Sequence, residues 1–149
     1  MSNTNQQLRE LADKYNLTGK DFFKHQSQGF IIITRGGVEK IMAKDNIQVT
    51  YQVVPELTEN QENCCIKATA QRVDENGEII MVESFGTANH YNCPVKTTKQ
   101  GRTMAHYPVE TAEKRAKVRA VLQITGLYSH DVKGEDESPD FKRSKHAQS

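Results

Sequence analysis

Residues 107–128, YPVETAEKRAKVRAVLQITGLY, read as one long helix, and the rest of the fold follows from it. Pro108 suits the first helical turn, where its missing N–H costs nothing. Glu110 and Glu113 sit at the positive end of the helix dipole. Gly126 is placed to end the helix, because glycine accepts the left-handed conformation of a C-cap. Val109, Ala112, Ala116, Ala120 and Ile124 recur on one side at helical spacing. Three of these are alanine, so the ridge is thin and its backbone can approach a sheet closely. Arg115 and Arg119 share one edge of the ridge, and Lys114 and Lys117 lie on another. From Val118 onward, Val121, Leu122, Ile124 and Leu127 make the helix apolar on most sides. The first half is basic and partly open, and the second half is expected to be buried.

A helix with an alanine ridge needs a flat apolar partner, and the preceding sequence supplies one. Ile47, Val49, Tyr51 and Val53 alternate with polar residues, and Pro55 ends the strand. Cys64, Ile66, Ala68 and Ala70 alternate in the same way. Asn76-Gly77 is the strongest hairpin signal in the chain, and a third strand spans about Glu78 to Phe85. These three strands form an antiparallel meander with one face rich in Gln, Thr and Lys. Upstream, FIIIT at 30–34 reads as a short buried strand, and Thr34 is placed to cap a helix over about 35–44. Leu8, Leu11 and Tyr15 predict an amphipathic helix over about 6–15. Phe22 and Phe23 need burial somewhere, a neighbouring subunit being one place for it. Residues 86–106 show no periodicity, and a connection that long inside a compact domain is often functional or disordered.

The expected fold class is therefore α+β: a three-stranded antiparallel meander, plus a short extra strand, packed by a long C-terminal helix. Residues 1–29 form an N-terminal helix and lead-in, 30–128 a single core domain, and 129–149 a charged tail expected to be disordered. With 149 residues, 36% of them hydrophobic, the chain holds one modest core. No apolar run approaches the ~20 residues that span a membrane, the N-terminus does not read as a signal peptide, and three cysteines fit a reducing cytoplasm better than a disulfide framework. The near-neutral total of +1 hides an asymmetry. Residues 91–128 hold seven Lys/Arg against two Glu, a net +5, so the remainder carries −4. A basic segment of that kind is a candidate polyanion site.

Patterns for bond-making chemistry are absent. Cys64 and Cys65 point to opposite faces of a strand, no CxxC occurs, and His90, Cys93 and His106 fall short of a zinc set. Glu83, Glu110 and Glu113 read first as solvated or dipole-stabilising carboxylates. No metal, cofactor or catalytic residue is expected, and the chain is read as a non-enzyme. The candidate residues are basic and aromatic instead. Lys and Arg neutralise phosphates with release of counterions, and single-strand binders add aromatic platforms on which bases stack. Lys114, Arg115, Lys117 and Arg119 are the first candidates, Lys96, Lys99, Arg102 and Lys67 the second, and Tyr91 and Tyr107 the candidate stacking residues. The plainer reading of the helix cations is a solvated face.

The order of elements resembles the single-strand annealing proteins of the Rad52/ERF type, particularly small phage-encoded members. The residues that carry it are Thr111-Ala112-Glu113-Lys114-Arg115-Ala116, then Ala120-Val121-Leu122, then Gly126. The segment IIITRGGVEKIMAKDNIQVTYQVV and the hairpin DENGE fit the same pattern, over about 34–128. The resemblance implies a Rad52-like β-β-β-α core that binds single-stranded DNA as a homo-oligomeric ring or filament. It implies ATP-independent, cofactor-free annealing of complementary strands in phage-type recombination, in a bacterial host cytoplasm. By the same analogy the tail contacts a host single-strand-binding protein. Two rivals stand beside it: an assembly module without a nucleic-acid role, and a small metal-dependent nuclease using Glu83, Glu110 or Glu113.

Overall fold

The structure is a computed structural model that describes residues 2–24, 29–55, 64–89, 92, 95–97, 99, 101, 103–105 and 107–137. In chain order these form α1 (Ser2–Lys14), β1 (Phe22–Lys24), β2 (Ile31–Ile33), α2 (Arg35–Asp45), β3 (Gln48–Val53), β4 (Cys64–Val73), β5 (Ile79–Ala88), β6 (Val95–Thr97), β7 (Thr103–Ala105), α3 (Pro108–Thr125) and β8 (Val132–Gly134). Short 3-10 turns follow α3 at Leu127–His130 and β8 at Glu135–Glu137. The sheets run β3-β4-β5, β1-β2-β8 and β6-β7. The class is α+β, and the expected antiparallel meander lies against α3. No helix among the described residues is long and apolar enough to cross a membrane.

The meander's register sorts its residues into two faces. Val49, Tyr51 and Val53 stand opposite Ala70, Ala68 and Ile66, which stand opposite Val82, Ser84 and Gly86. This face takes α3, and it is built from small residues. Ala68, Ala70 and Ala88 are fully buried, and so are Ala112, Ala116 and Ala120 of the helix. Gly86 is the closest point. A Cβ there would lie 2.5 Å from the Ala116 nitrogen and would collide with the Ala112 carbonyl oxygen. α3 covers β4 and β5 but not β3, so Tyr51 and Val53 stay about half exposed although they belong to the inner face. Val109, expected on the buried ridge, is also nearly half exposed, because it lies one turn before the closest approach.

The far side of α3 is covered too. Val118 lies against Gly134 of β8, and Leu122, Leu127, Ile33 and Val132 join one core with the meander residues. The helix therefore runs between the meander and the small sheet, which explains why its second half is apolar on most sides. Gly126 ends it with φ 83°, as its sequence position requires. Thr34 caps α2, its hydroxyl accepting from the Gly37 N–H at 3.2 Å.

Two boundaries differ from the sequence expectation. Residues 129–137 were expected in a disordered tail, yet β8 pairs in parallel with β2 and Val132 is buried. A three-residue strand is too short to show periodicity. Phe22 was expected to need burial, with a subunit contact as one place for it. It sits in β1 opposite Ile33 and packs on the chain's own core. The unpatterned stretch 86–106 contains the hairpin β6–β7, whose three-residue strands are equally short.

Asp21 ties the β1 end of the small sheet to α2. Its carboxylate accepts from the Thr18 N–H at 2.9 Å and from Lys40 Nζ at 2.6 Å, and its carbonyl accepts from Thr34 N–H at 2.7 Å. Burial alone raises its pKa, but the bonds from Lys40 and Thr18 outweigh it and hold the carboxyl below its ordinary value. A depressed carboxylate stabilises the fold above its unfolded pKa and loses that contribution as pH falls through the folded value. Asp21→Asn is expected to be less stable than the parent at neutral pH and to lose stability less steeply in acid, read as the urea midpoint against pH. Gly86→Ala is expected to cost about 3 kcal/mol or more, because backbone on both sides must move apart; urea denaturation measures it.

Candidate nucleic-acid interface

The four cations of α3 project from a helix whose sheet-facing ridge is alanine, so the nearest of them lie along the edges of the sheet. Arg115 and Arg119 flank the ridge on the β5 side. The Arg115 guanidinium is buried and donates to the Thr87 carbonyl at 2.8 Å, to the Asn92 side-chain oxygen at 3.0 Å and to the Asn92 carbonyl at 2.6 Å. Arg119, one turn on, donates to the Phe85 carbonyl at 2.9 Å and forks onto Glu137, with Nε to Oε1 at 2.6 Å and Nη2 to Oε2 at 2.5 Å. The hydrogen bonds to Glu137 raise the Arg119 pKa further, so its charge is held at all working pH values.

Phe85 and Thr87 present their carbonyls away from β4, on the free edge of β5. An uncovered sheet edge invites pairing with another chain. Two arginines at (i, i+4) spacing meet two strand carbonyls at (i, i+2) spacing and close that half of the edge. The sequence places Arg115 and Arg119 on one edge of the helix, and the structure agrees. It commits Arg115 to the interior and Arg119 largely to Glu137.

Lys117 lies on the opposite, β3 side of the ridge and pairs with Glu39 of α2 at 2.5 Å. Tyr51 sits in the same trough, where burial, then Glu113 and Glu39, push its hydroxyl up to about 12. Lys67 is on the other face of the meander, 3.7 Å from Glu83. Lys114 is half-buried and makes no ion pair among the described residues, and Lys99, in the turn of the β6–β7 hairpin, is exposed and likewise unpaired. Tyr107, two-thirds exposed, takes the N-cap position of α3 with φ 53°. Lys96 lies in β6. Tyr91 and Arg102 lie outside the described residues, as do His90, Cys93 and His106. Among the described residues the candidate cations are therefore spread over the β5 side of α3, its β3 side, the outer face of the meander and the hairpin turn, and chain continuity alone links the hairpin, Tyr107 and the first half of α3.

Sequence reasoning missed the partners. Glu39, Glu137 and Asn92 decide which cations are committed inside the chain, and none of them stands out by periodicity. The acid run at 135–137 was assigned to a tail, where a carboxylate has no obvious mate. The NxxN spacing of Asn89 and Asn92 was the available signal for a built turn. Each accepts at its side-chain oxygen from the other's N–H, at 3.2 and 2.9 Å. Among the described residues no cluster of His, Cys, Asp and Glu could hold a metal ion.

These placements predict opposite behaviour for two helix cations. Glu137→Gln leaves the Arg119 guanidinium without its carboxylate and is expected to lower stability by about 1–2 kcal/mol. Lys114→Glu is expected to stay within about 0.5 kcal/mol of the parent, as for an unpaired surface position. Urea midpoints of the two variants check both. In comparisons with known proteins, no family model, no curated protein and no solved structure matches this chain.

Proposed function

We propose that this chain binds single-stranded DNA and anneals complementary strands without ATP, through a Rad52-like β-β-β-α core acting in a homo-oligomer. The observation that carries the reading is the β6–β7 hairpin. Residues 89–109 hold Lys96, Lys99 and Arg102 with no Asp or Glu, and β7 runs through exposed Tyr107 directly into the basic first half of α3. No acid within the segment competes for these cations, and Lys99 and Lys114 make no ion pair among the described residues, so their attraction for a phosphate chain is retained. An exposed tyrosine beside them offers a stacking face. The rest of the basic set, Lys67, Lys117 and Arg119, already has carboxylate partners and contributes less.

The chemistry asked of such a site is modest. Lys99, Lys114 and their neighbours neutralise the backbone of one strand and leave its bases open. A second strand then pairs, and base pairing supplies the free energy. No bond is made or broken, so annealing needs neither a nucleophile nor a cofactor.

Fluorescence anisotropy of a labelled ~30-nucleotide single strand across a salt series tests this, with duplex as competitor. Binding that prefers the single strand and weakens steeply with salt is expected, followed by annealing without ATP. In Lys99→Glu combined with Lys114→Glu the slope of log affinity against log salt should flatten by about 0.7 for each phosphate no longer neutralised. Flat anisotropy at ~50 mM salt, where attraction to phosphate is strongest, from protein shown to be folded, rejects the reading.

One observation favours the assembly-module alternative. Val73, Ile79 and Met81 are each more than half exposed, together on the meander face that α3 does not cover. Beside them, among the described residues, no arginine bonds to the first half of the β5 edge as Arg115 and Arg119 do to Thr87 and Phe85. A module that only assembles would self-associate through this end and leave single strands unbound; Met81→Lys would then dissolve the assembly.

A further inference from the structure

We propose that Arg115 serves the nucleic-acid site as a positioning residue: it clasps the root of the basic β6–β7 hairpin through Asn92 and does not itself touch phosphate. This rests on the single-strand reading above. The side chain is 3% exposed, which leaves no room for a phosphate at the guanidinium. It donates to the Thr87 carbonyl near the end of β5 and to both oxygens of Asn92. The approach of α3 at Gly86 is what lets it reach them: the Arg115 Cβ lies beside that glycine, where a Cβ of its own would come within 3.0 Å.

Asn92 lies four residues past the end of β5, and it is held twice. It exchanges side-chain hydrogen bonds with Asn89, and Arg115 grips both its side-chain oxygen and its carbonyl. Among the described residues β6 and β7 pair with each other, and neither belongs to the meander or to the small sheet. The hairpin's orientation is therefore set at its two roots. One is the chain entering α3 at Tyr107, whose left-handed backbone turns it sharply. The other is the Arg115–Asn92 clasp. Fixing both roots to the first half of α3 holds Lys96 and Lys99 in place before a strand arrives. Pre-organisation of that kind raises apparent affinity by the fraction of molecules already in the competent arrangement.

The test is Asn92→Ala, which removes the side-chain half of the clasp and leaves every cation in place. Two readouts are taken on full-length protein: hydrogen exchange of residues 95–105, and anisotropy with a ~30-nucleotide oligothymidylate across salt. Exchange in 95–105 is expected to speed up while residues 112–124 keep their protection. Affinity is expected to fall roughly tenfold, as for a hairpin held correctly in one molecule of ten. The salt slope should stay at the parent value, because the same cations still neutralise the same phosphates. Lys99→Glu, by contrast, should lower both affinity and slope, and its effect should be less than multiplicative with Asn92→Ala. Unchanged exchange in 95–105 overturns the clasp whatever the DNA does. Faster exchange with parent affinity, or a flattened slope in Asn92→Ala, overturns the positioning role. A parent protein that binds no single strand at ~50 mM salt overturns the functional reading instead, and the exchange data then report on the clasp alone.

Discussion

The fold depends on one close approach, that of α3 onto β5 at Gly86. Backbone meets backbone there, with Ala112, Ala116 and the Cβ of Arg115 on the helix side. Such packing buries little apolar area per residue, so the apolar stabilisation must come from elsewhere. It comes from the other flank of the same helix and the turn after it, where Val118, Leu122 and then Leu127 join β8 and the small sheet in one core. The two halves of the sequence pattern, thin ridge and apolar remainder, describe one helix serving two layers at once.

That approach also governs the electrostatics. A long side chain beside an alanine ridge lies flat along the sheet it touches. Arg115 and Arg119 are in that position, and the nearest polar groups they meet are the edge carbonyls of Thr87 and Phe85. Burying a guanidinium is costly unless its donors are satisfied. Arg115 meets the cost with three acceptors from β5 and Asn92, Arg119 with Phe85 and Glu137. The sheet gains in return: half of a free edge is closed without an added strand.

Much of this was legible in the sequence, and the part that was not has a common cause. The 18-residue α3, its proline start and its glycine stop, the Thr34 cap and the three meander strands are long or punctuated enough to show a period. β1, β6, β7 and β8 have three residues each and show none, so the place where Phe22 is buried was left open and residues 129–137 were expected in a disordered tail. At the candidate site the sequence identified the edge shared by Arg115 and Arg119 but not its orientation toward β5. Periodicity gives relative angle along one helix. It carries no information about which distant carboxylate, Glu39 or Glu137, will stand opposite a cation.

The same geometry limits where a polyanion site on this scaffold can lie. A net charge of +5 over residues 91–128 counts every cation equally, yet Arg115, Lys117 and Arg119 flank the ridge and are drawn against β5 or α2. Close helix–sheet packing and an open basic helix face are in conflict at those positions. They are compatible only where the chain leaves the sheet: on the side of α3 away from the ridge, at Lys114, or on an element outside the meander, as the separately paired β6–β7 hairpin is. The stretch with no periodicity is for that reason the place where cations can remain available to a ligand. The buried arginine beside it is better suited to holding that stretch in position than to binding phosphate itself.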